Sequence, residues 1–371
     1  MKILYTTTVG STMGFFKAFI KELISDGNKV DIATNECDGE SVVPPCFREW
    51  GCKVYPIDTS RSPFNLGNIR AIKQIKDIVK KGDYDIVHCH TPFAAAATRL
   101  ACKGFRKKGL MVFYTAHGFH FFKGAPIKNW LIYYPIEKFC AHFTDVLITI
   151  NKEDYALALK KMPAKKICYV PGVGIDISKI HDVQCDRNEV RKSMGVPEDC
   201  ILLLSVGELN ANKNHQVVVK ALAKLNNRNV HYAVAGEGNQ KENLLSLAKK
   251  MGVENQFHLL GFRTDVPAIA KSSDIFCFPS RREGLGLAAL EAMSCGLPLI
   301  TSNVHGINDY SQDDVTGYKC SPNDENEWCE KINKMIVDSV KMRRFGECNK
   351  KNAENFSTQK ILHYMRDIYN G

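Results

Sequence analysis

The sequence lacks the features that would place it in a membrane or in an oxidising compartment. It has no apolar run near the ~18 residues that a bilayer-spanning helix needs, and Met1–Thr8 resembles a short strand rather than a signal peptide. Its 14 cysteines include no Cys-x-x-Cys pair and no Cys/His cluster at metal-ligand spacing. We therefore predict no zinc site and a cytoplasmic location, with cysteines such as Cys89, Cys277 and Cys295 buried as reduced thiols.

Length and composition exclude several other classes. A chain of 371 residues is too long for one compact core and suits two domains of ordinary size. With 44% hydrophobic and 24% charged residues it has the composition of a globular protein, not of a disordered or fibrous one. We find no short internal repeat, so a solenoid is not expected.

Positive charge is confined to the first half of the chain. Residues 1–175 contain 25 Lys and Arg against 15 Asp and Glu, whereas residues 176–371 contain 25 of each, so the first half accounts for the whole net charge of +10. A basic domain attracts an anionic partner, which here could be lipid headgroups, nucleic acid or a phosphorylated acceptor. The alternative is a basic face that serves only solubility.

Apolar strands alternate with helical patterns through both halves, which predicts two parallel sheets covered by helices on both faces. The predicted strands are 2–7, 29–34, 53–57, 85–89, 110–115, 145–150 and 166–170, then 201–206, 230–235, 256–260, 274–278 and 299–301. Residues 176–197 look polar and hinge-like, and residues 326–369 look helical throughout. We therefore predict an α/β protein with Rossmann-like domains at 1–175 and 176–355 and a terminal helix at 356–371.

A stretch in the last third, Pro279–Met293, carries two acids on a strand–loop–helix pattern. Gly284 and Gly286 expose the backbone where the helix begins, and a helix N-terminus can receive an anion. Glu291 stands among apolar residues, where an ionised carboxylate without a partner would cost several kcal/mol. We therefore expect Glu291 to have a partner from the protein or from a ligand. The alternative is a capping Glu283 and a core Glu291 paired with an arginine.

Glycine and polar residues follow four predicted strands of the second half. They lie at 207–214, 236–238, 261–265 and 279–286. The carboxyl ends of parallel strands meet at one edge of a sheet, so these segments predict a ligand crevice. With two such domains, the cleft between them is the expected site.

The second half of the chain carries the motifs Gly207…Lys213, Gly236-Glu237-Gly238, Gly261-Phe262-Arg263-x-Asp265, Pro279-Ser280-x-x-Glu283-Gly-x-Gly and Glu283-x7-Glu291, and the first half carries His88-Cys89-His90-Thr91-Pro92, Thr115–Gly124 and Leu147–Asp154. As an ordered set, these motifs resemble family 4 glycosyltransferases of the GT-B fold, in their capsular and exopolysaccharide branch. The similarity runs over about residues 1–340.

The resemblance implies two doubly wound domains facing a cleft, with C-terminal helices that return to the first domain. It implies transfer of a hexose or N-acetylhexosamine from a UDP-sugar to a polyprenyl-diphosphate-linked glycan, in capsular, exopolysaccharide or lipopolysaccharide synthesis. The expected reaction retains the anomeric configuration and uses no metal and no cofactor. A front-face mechanism, in which the leaving phosphate takes the acceptor's proton, needs neither a general base nor a covalent nucleophile from the protein.

The family pattern also assigns roles to residues. The catalytic set is Glu283, His117 and Lys213; the donor-binding set is Gly14, Arg263, Arg282, Gly284, Leu285, Gly286, Leu287 and Glu291; the acceptor-side set is His90 and His120. In this pattern Glu283 holds hydroxyls of the transferred sugar and Glu291 accepts the ribose hydroxyls. Lys213 and the N–H groups of 284–287 receive the diphosphate, since without a metal the protein must neutralise that charge.

One position departs from the family pattern. Family members usually carry Arg five residues before the Lys that matches Lys213, and here that residue is Glu208. The loss of one diphosphate cation would cost a few kcal/mol of transition-state stabilisation. Arg281 and Arg282 are the candidates to compensate.

The segment Phe119–Tyr134 is rich in aromatic residues, with Lys123 and Lys128 beside them. It is either core or an interfacial surface, where rings and lysine stems meet lipid. Together with Arg99, Lys103 and residues 106–108 it supports peripheral docking on the anionic inner face of the plasma membrane. Two other functions are weighed against transfer: a nucleotide-sugar epimerase of similar shape, and a nucleic-acid-binding module, which lacks any recognition signature here.

Overall fold

The computed structural model describes residues 1–36, 41–60 and 67–371. The chain forms two compact units: Met1–Val173 with Ile361–Gly371, and Gly174–Lys360. Each unit has a parallel sheet with helices. The predicted boundaries after 175 and 355 lie two and five residues from these divisions.

Unit 1 is built on a seven-stranded parallel sheet with the order β3-β2-β1-β4-β5-β6-β7. Its strands are β1 (Lys2–Thr6), β2 (Lys29–Thr34), β3 (Val54–Pro56), β4 (Ile86–His90), β5 (Met111–Ala116), β6 (Val146–Thr149) and β7 (Lys166–Tyr169). Its helices are α1 (Lys17–Ser25), α2 (Cys46–Glu49), α3 (Gly67–Gly82), α4 (Pro92–Cys102), α5 (Ile127–Ala141) and α6 (Lys152–Lys161). Two 3-10 helices, Gly10–Phe16 and Phe105–Lys108, also belong to it, and Ile361–Gly371 from the end of the chain join it as well.

Unit 2 is built on a six-stranded parallel sheet with the order β10-β9-β8-β11-β12-β13. Its strands are β8 (Ile201–Val206), β9 (Val230–Ala235), β10 (Phe257–Gly261), β11 (Ile275–Phe278), β12 (Leu299–Ser302) and β13 (Gly317–Cys320). Its helices are α7 (Ile177–Asp182), α8 (Arg187–Ser193), α9 (Gln216–Leu225), α10 (Lys241–Lys250), α11 (Val266–Lys271), α12 (Leu287–Ser294), α13 (Glu325–Ile336) and α14 (Ser339–Ala353). The 3-10 helices His305–Asp309 and Glu354–Phe356 also belong to it.

The strand sequences explain why both sheets are parallel and internal. The residues of β8, β9 and β11 are almost all apolar and buried, as expected where helices cover both faces of a sheet. Each sheet starts at a central strand, winds outward in one direction and then resumes on the other side of that strand. This order confirms the predicted doubly wound α/β architecture.

The segment predicted to be a polar hinge, 176–197, is folded. It contains α7 and α8, whose first turns are capped by the side chains of Asp176 and Asp186. Arg191 of α8 is completely buried and its Nη2 donates to Asp274 at 2.7 Å. The predicted continuous terminal helix is also interrupted, at 337–338 and again at 354–357.

The last helix, α15 (Thr358–Asn370), brings the chain back to unit 1. Ile361, Met365, Ile368 and Tyr369 are buried in the unit 1 core. The Tyr369 hydroxyl lies 3.0 Å from the Tyr5 hydroxyl and 2.5 Å from Nδ1 of His88. In the part of the chain that the structure describes, no helix is both long and apolar enough to cross a bilayer.

Candidate active site

The candidate site of unit 2 lies where the winding direction of the sheet reverses. Strands β8 and β11 are neighbours there, and the loops that follow them are 207–215 and 279–286. Ligands of doubly wound sheets bind at this edge because the two loops diverge to opposite faces and leave a crevice. The predicted residues Lys213 and Glu283 lie on these two loops.

Backbone and amide hydrogen bonds fasten the two loops together. The Arg281 N–H donates to the Asn212 carbonyl at 2.8 Å, and the Asn212 amide donates to the Arg282 carbonyl at 2.9 Å. The Asn214 amide donates to the Pro279 carbonyl at 3.2 Å. The two loops are therefore joined to each other by hydrogen bonds within the protein.

Lys213 and Glu283 form an ion pair, with Nζ 2.6 Å from Oε2. The Ser280 hydroxyl donates to the same carboxylate at 3.3 Å, and the ammonium lies 5.0 Å from the centre of the Phe278 ring. Both side chains are about one-fifth exposed, so the pair stands at the surface of the crevice, open to a ligand on one side.

A glycine-rich turn connects this pair to α12. Gly286 has φ +94°, and a Cβ added there would lie 2.5 Å from the Phe278 ring. Only glycine combines this left-handed conformation with that close approach. Leu285 is buried, Leu287 begins the helix, and no side chain of the N-cap residue Gly286 caps the N–H groups of the first helical turn.

Glu291 lies within α12 and lines a small apolar pocket with Val206, Pro267 and Ala288. No group among the described residues donates a hydrogen bond to its carboxylate or pairs with it. Burial raises the pKa of Glu291 above the ordinary 4.5. The expected partner is thus not supplied by the protein, and the predicted alternative of an arginine pair is wrong for the residues that the structure describes.

The other donor-binding candidates of unit 2 are more dispersed. Arg263 is paired with Asp265 through Nε and Nη2 at 2.7 and 2.6 Å, next to Phe262, which is 74% exposed. Arg282 and Gly284 are half-buried on the loop that carries Glu283. Glu208 is exposed and accepts a hydrogen bond from the Asn210 amide.

Arg281 was a candidate to replace the missing diphosphate cation. Its guanidinium donates to the Asn214 and Asn323 side chains at 3.0 and 2.5 Å. The structure therefore places Arg281 in the framework that holds the two loops.

The unit 1 candidates lie at the corresponding edge of the other sheet. His90 ends β4, and His117 follows β5, the neighbouring strand; His90 Nδ1 is 3.1 Å from His117 Nε2. Both line a pocket with Phe16 and His88. Gly14 lies in the 3-10 helix Gly10–Phe16, and a Cβ added there would meet no atom within 4 Å.

His120 does not join this group. Its ring stacks on Tyr133 at 4.5 Å, and its carbonyl accepts from the Asn129 amide at 2.9 Å. The predicted acceptor-side pair of His90 and His120 is thus divided: His90 lies beside His117, and His120 lies against α5.

Sequence analysis missed several members of both sites. In unit 2 they are Asn212 and Asn214, which join the loops; in unit 1 they are Tyr369 and Thr91. Thr91 has φ +64°, rare for a β-branched residue, and its Oγ1 accepts from the Thr8 N–H at 3.0 Å. No sequence signal indicates these contacts, because each joins positions more than 60 residues apart. Among the described residues no group of three or more His, Cys, Asp or Glu side chains could hold a metal ion.

The two Rossmann-like units are those of a glycosyltransferase of the GT-B type. The chain belongs to glycosyltransferase family 4. The model described as "Glycosyltransferase Family 4" matches residues 15–179, and that described as "Glycosyl transferases group 1" matches residues 186–352.

Known proteins similar to the chain include two curated relatives. The putative glycosyltransferase EpsD of Bacillus subtilis is 34% identical over 99% of this chain and 96% of its own length. An Escherichia coli UDP-Gal:alpha-D-GlcNAc-diphosphoundecaprenol alpha-1,3-galactosyltransferase is 29% identical over 81% of each chain. The crystal structure of Anabaena Alr3699/HepE in complex with UDP has the same fold, with a TM-score of 0.81, 19% identity and full coverage of both chains.

Proposed function

We propose that this glycosyltransferase moves a hexose or N-acetylhexosamine from a UDP-sugar to a polyprenyl-diphosphate-linked glycan during capsular, exopolysaccharide or lipopolysaccharide synthesis. The transfer retains the anomeric configuration and needs no metal. The observation that carries the proposal is the unpartnered carboxylate of Glu291 at the same sheet edge as the Lys213–Glu283 pair. The E. coli relative, named for a UDP-sugar donor and a diphosphoundecaprenol acceptor, and the UDP complex of the fold neighbour support the substrate classes.

The donor's groups match the side chains of unit 2. Glu291 accepts hydrogen bonds from the ribose hydroxyls, which supply the donors that the protein does not. The diphosphate lies against Lys213 and the N–H groups of 284–287, where the positive end of α12 favours negative charge. The exposed Phe262 ring offers the uracil a stacking surface beside Arg263.

Charge development explains why Lys213 and Glu283 are paired before the donor arrives. As the bond between the sugar and the diphosphate breaks, negative charge grows on the leaving phosphate, and a fixed ammonium stabilises it. Glu283 holds the ammonium in place and accepts hydroxyl hydrogens of the transferred sugar. The leaving phosphate takes the acceptor's proton, so no side chain is assigned as a base.

Thermal shift and transfer assays with Glu283→Gln and Lys213→Met test these roles. UDP at about 100 times its dissociation constant stabilises a protein by ~2.7 kcal/mol, so binding is readily detected. Glu283→Gln should abolish transfer but preserve the shift with UDP. Lys213→Met should weaken the shift and lower kcat about 100-fold or more. The matched control is Lys220→Met, on α9 outside the loop; equal loss of UDP binding and transfer in Glu283→Gln would contradict its assignment to the sugar.

The same assays separate transfer from epimerisation. A transferase releases UDP in proportion to the acceptor glycosylated, whereas an epimerase changes the sugar nucleotide without an acceptor. Acceptor-independent conversion would therefore favour the epimerase, and chelation by EDTA should leave the transfer rate unchanged.

We further propose that the enzyme acts on the inner face of the plasma membrane and docks through α5. The aromatic residues Phe119, Phe121 and Phe122 are buried, so this part of the predicted interfacial segment is core. The apolar residues exposed on this side are instead on α5, with Ile127 77%, Leu131 71% and Phe139 57% exposed.

Charge on this face favours an anionic lipid surface. Lys128 and Lys138 are exposed on α5, and Glu137, its one acidic residue, is buried against Arg99 at 2.8 Å. The basic 3-10 helix Phe105–Lys108 adjoins the end of α5, where Arg106 donates to the His142 carbonyl at 2.8 Å. Apolar side chains flanked by lysines are the composition of interfacial helices. The absence of a nucleic-acid partner stays a prediction, which a mobility shift at physiological salt checks.

Vesicle flotation tests the docking face. The wild-type protein should float with vesicles of mixed neutral and anionic phospholipid, less so at high salt and not with neutral vesicles. Leu131→Glu with Phe139→Glu should abolish flotation while preserving the thermal shift with UDP. Val340→Glu, a control at a residue 78% exposed on α14, should float like the wild type. Flotation that survives the α5 substitutions would exclude this face.

A further inference from the structure

The pocket of unit 1 contains a row of polar side chains set by the strand period. His88 and His90 alternate with Cys89 along β4, so both project to the same face of the sheet. Thr115 of β5 pairs with His90 in register, and His117 follows two residues later. The His88 ring contacts Thr115 at 2.8 Å through Nε2, and the His90 ring contacts His117 at 3.1 Å.

The His90 ring is immobilised by its neighbours. It stacks on Tyr5 with 5.4 Å between ring centres, and its centre lies 4.1 Å from that of Phe16 and 4.2 Å from that of His88. Only 2% of the residue is exposed. These contacts keep the His90 ring in the orientation in which Nδ1 faces Nε2 of His117.

Both imidazoles are neutral at pH 7. Burial lowers the pKa of His117 to about 4, and burial together with His88 and His117 lowers the pKa of His90 well below its usual range. Two neutral imidazoles in contact share a single hydrogen, so one ring donates and the other accepts. The direction of that hydrogen bond decides which nitrogen of His117 carries the proton.

The far side of His90 settles the direction. Its Nε2 is buried and has no hydrogen-bond partner among the described residues. If His117 donated, His90 would carry its hydrogen on Nε2, as a buried N–H without an acceptor. If His90 donates from Nδ1, its Nε2 carries no hydrogen and is an acceptor without a donor. Orphaned buried N–H groups are rarer than under-satisfied acceptors, so the second arrangement is favoured.

We propose that His90 is a positioning residue: its Nδ1–H donates to His117 Nε2 and fixes His117 in the tautomer that presents Nδ1–H to the pocket. His117 then offers a hydrogen-bond donor, without positive charge, to a hydroxyl or phosphate oxygen of the bound substrate. This use of the donor depends on the proposed function, whereas the tautomer itself does not. His90 contacts no substrate and acts through His117.

Nitrogen-15 NMR of the full chain labelled at histidine tests the tautomer directly. Long-range correlations between ring protons and nitrogens distinguish Nδ1–H from Nε2–H imidazole, and His117→Gln identifies the His117 signal among the 11 histidines. The wild-type protein at pH 7.5 should show His117 as the Nδ1–H form. A wild-type Nε2–H form, or a mixture of both forms, would overturn the proposal without any variant at position 90.

Two substitutions separate positioning from packing. His90→Phe keeps an aromatic ring but removes the donor, and His90→Asn keeps an amide N–H near the place of Nδ1. His117 should become a mixture of tautomers in His90→Phe and keep the Nδ1–H form in His90→Asn. An unchanged His117 signal in a folded His90→Phe would contradict the assignment.

Kinetics then test whether the tautomer matters for transfer. His90→Phe should lower kcat about tenfold or more, with the affinity for UDP within twofold of wild type, and His90→Asn should restore most of the rate. In a His117→Ala background, His90→Phe should cause no further loss, because His90 acts only through that ring. Losses that multiply in the double variant would show an independent role. If the wild type transfers no sugar, the proposed function fails, and the NMR result still stands.

Discussion

At the scale of single residues, Glu291 is a carboxylic acid that gains nothing from the folded protein itself. Burial raises its pKa, so ionisation of this group opposes folding. The neutral form of Glu291 makes its full contribution to the free energy of unfolding below pH 4.5, the ordinary pKa of the group in the unfolded chain. That contribution is lost as the pH rises through the higher pKa of the group in the folded protein. The apo protein therefore bears a stability cost at neutral pH.

Glu291→Gln should remove that cost. We expect the variant to melt about 2 °C above the wild type at pH 7.5 and to match it near pH 4, because only the wild-type residue ionises. Calorimetry over this pH range measures the difference, with the exposed Glu254→Gln as the control. UDP should reverse the order at pH 7.5, since the ribose donates to the carboxylate. A variant less stable than wild type without ligand would mean that a partner for Glu291 exists in the protein.

Single residues also show how much of the site could be predicted from the sequence. The motifs named Lys213, Glu283 and Glu291 through a family resemblance, and hydropathy alone indicated that Glu291 needs a partner. The 2.6 Å pair of Lys213 and Glu283 joins positions 70 residues apart. It could not be derived, because its existence depends on the adjacency of β8 and β11, which no local pattern encodes.

At the scale of elements, the position of Glu283 depends on the geometry of the turn before α12. The residue before the helix has a left-handed backbone, and its α-carbon packs against an aromatic ring of β11. A side chain at that position would displace either the ring or the loop that carries Glu283.

Gly286→Ala should therefore impair both stability and binding. A left-handed backbone costs an alanine roughly 1–2 kcal/mol, and the overlap with Phe278 adds to this. Gly252→Ala is the matched control, because its φ is +68° but its surroundings are open within 4 Å. In calorimetry both variants should lose stability, and Gly286→Ala should lose more; in titration with UDP only Gly286→Ala should bind more weakly. Equal effects of the two substitutions would show that the turn tolerates displacement.

Strands and helices differ in how well they could be predicted from the sequence. The strands of both sheets were predicted to within about one or two residues, because buried parallel strands are short apolar runs between turn residues. The exception is β13, a four-residue strand containing Gly317 and Lys319. Helices α2, α6, α7 and α8 were not predicted. In α6, α7 and α8 a polar composition masked clear capping residues at Asn151, Asp176 and Asp186.

At the scale of the whole molecule, unit 1 is made from two separate stretches of chain. Residues 361–371 follow all of unit 2 in the sequence, yet they pack in the core of unit 1. Arg366 pairs with Glu22, and Tyr369 joins Tyr5 and His88. The stability of unit 1 thus depends on residues beyond position 360.

Tyr369→Phe should destabilise unit 1 and leave unit 2 unchanged. The substitution removes a hydroxyl that two buried groups contact, and each group left unsatisfied costs about 1–3 kcal/mol. Hydrogen exchange read by mass spectrometry should show faster exchange in β1, β4 and β5 but not in β8–β13. Tyr364→Phe, at a 44% exposed residue of the same helix, should change neither. Faster exchange in both units would mean that the two do not open separately.

The split composition of unit 1 also governs its synthesis. A nascent chain emerging from the ribosome can complete the six-stranded sheet and its helices before residues 361–371 have left the exit tunnel. During that time the apolar surface of the seven-stranded sheet against which α15 packs is still uncovered. Unit 1 is thus synthesised first but completes its core after unit 2. A stall in translation after residue 360 would leave this apolar surface accessible to chaperones.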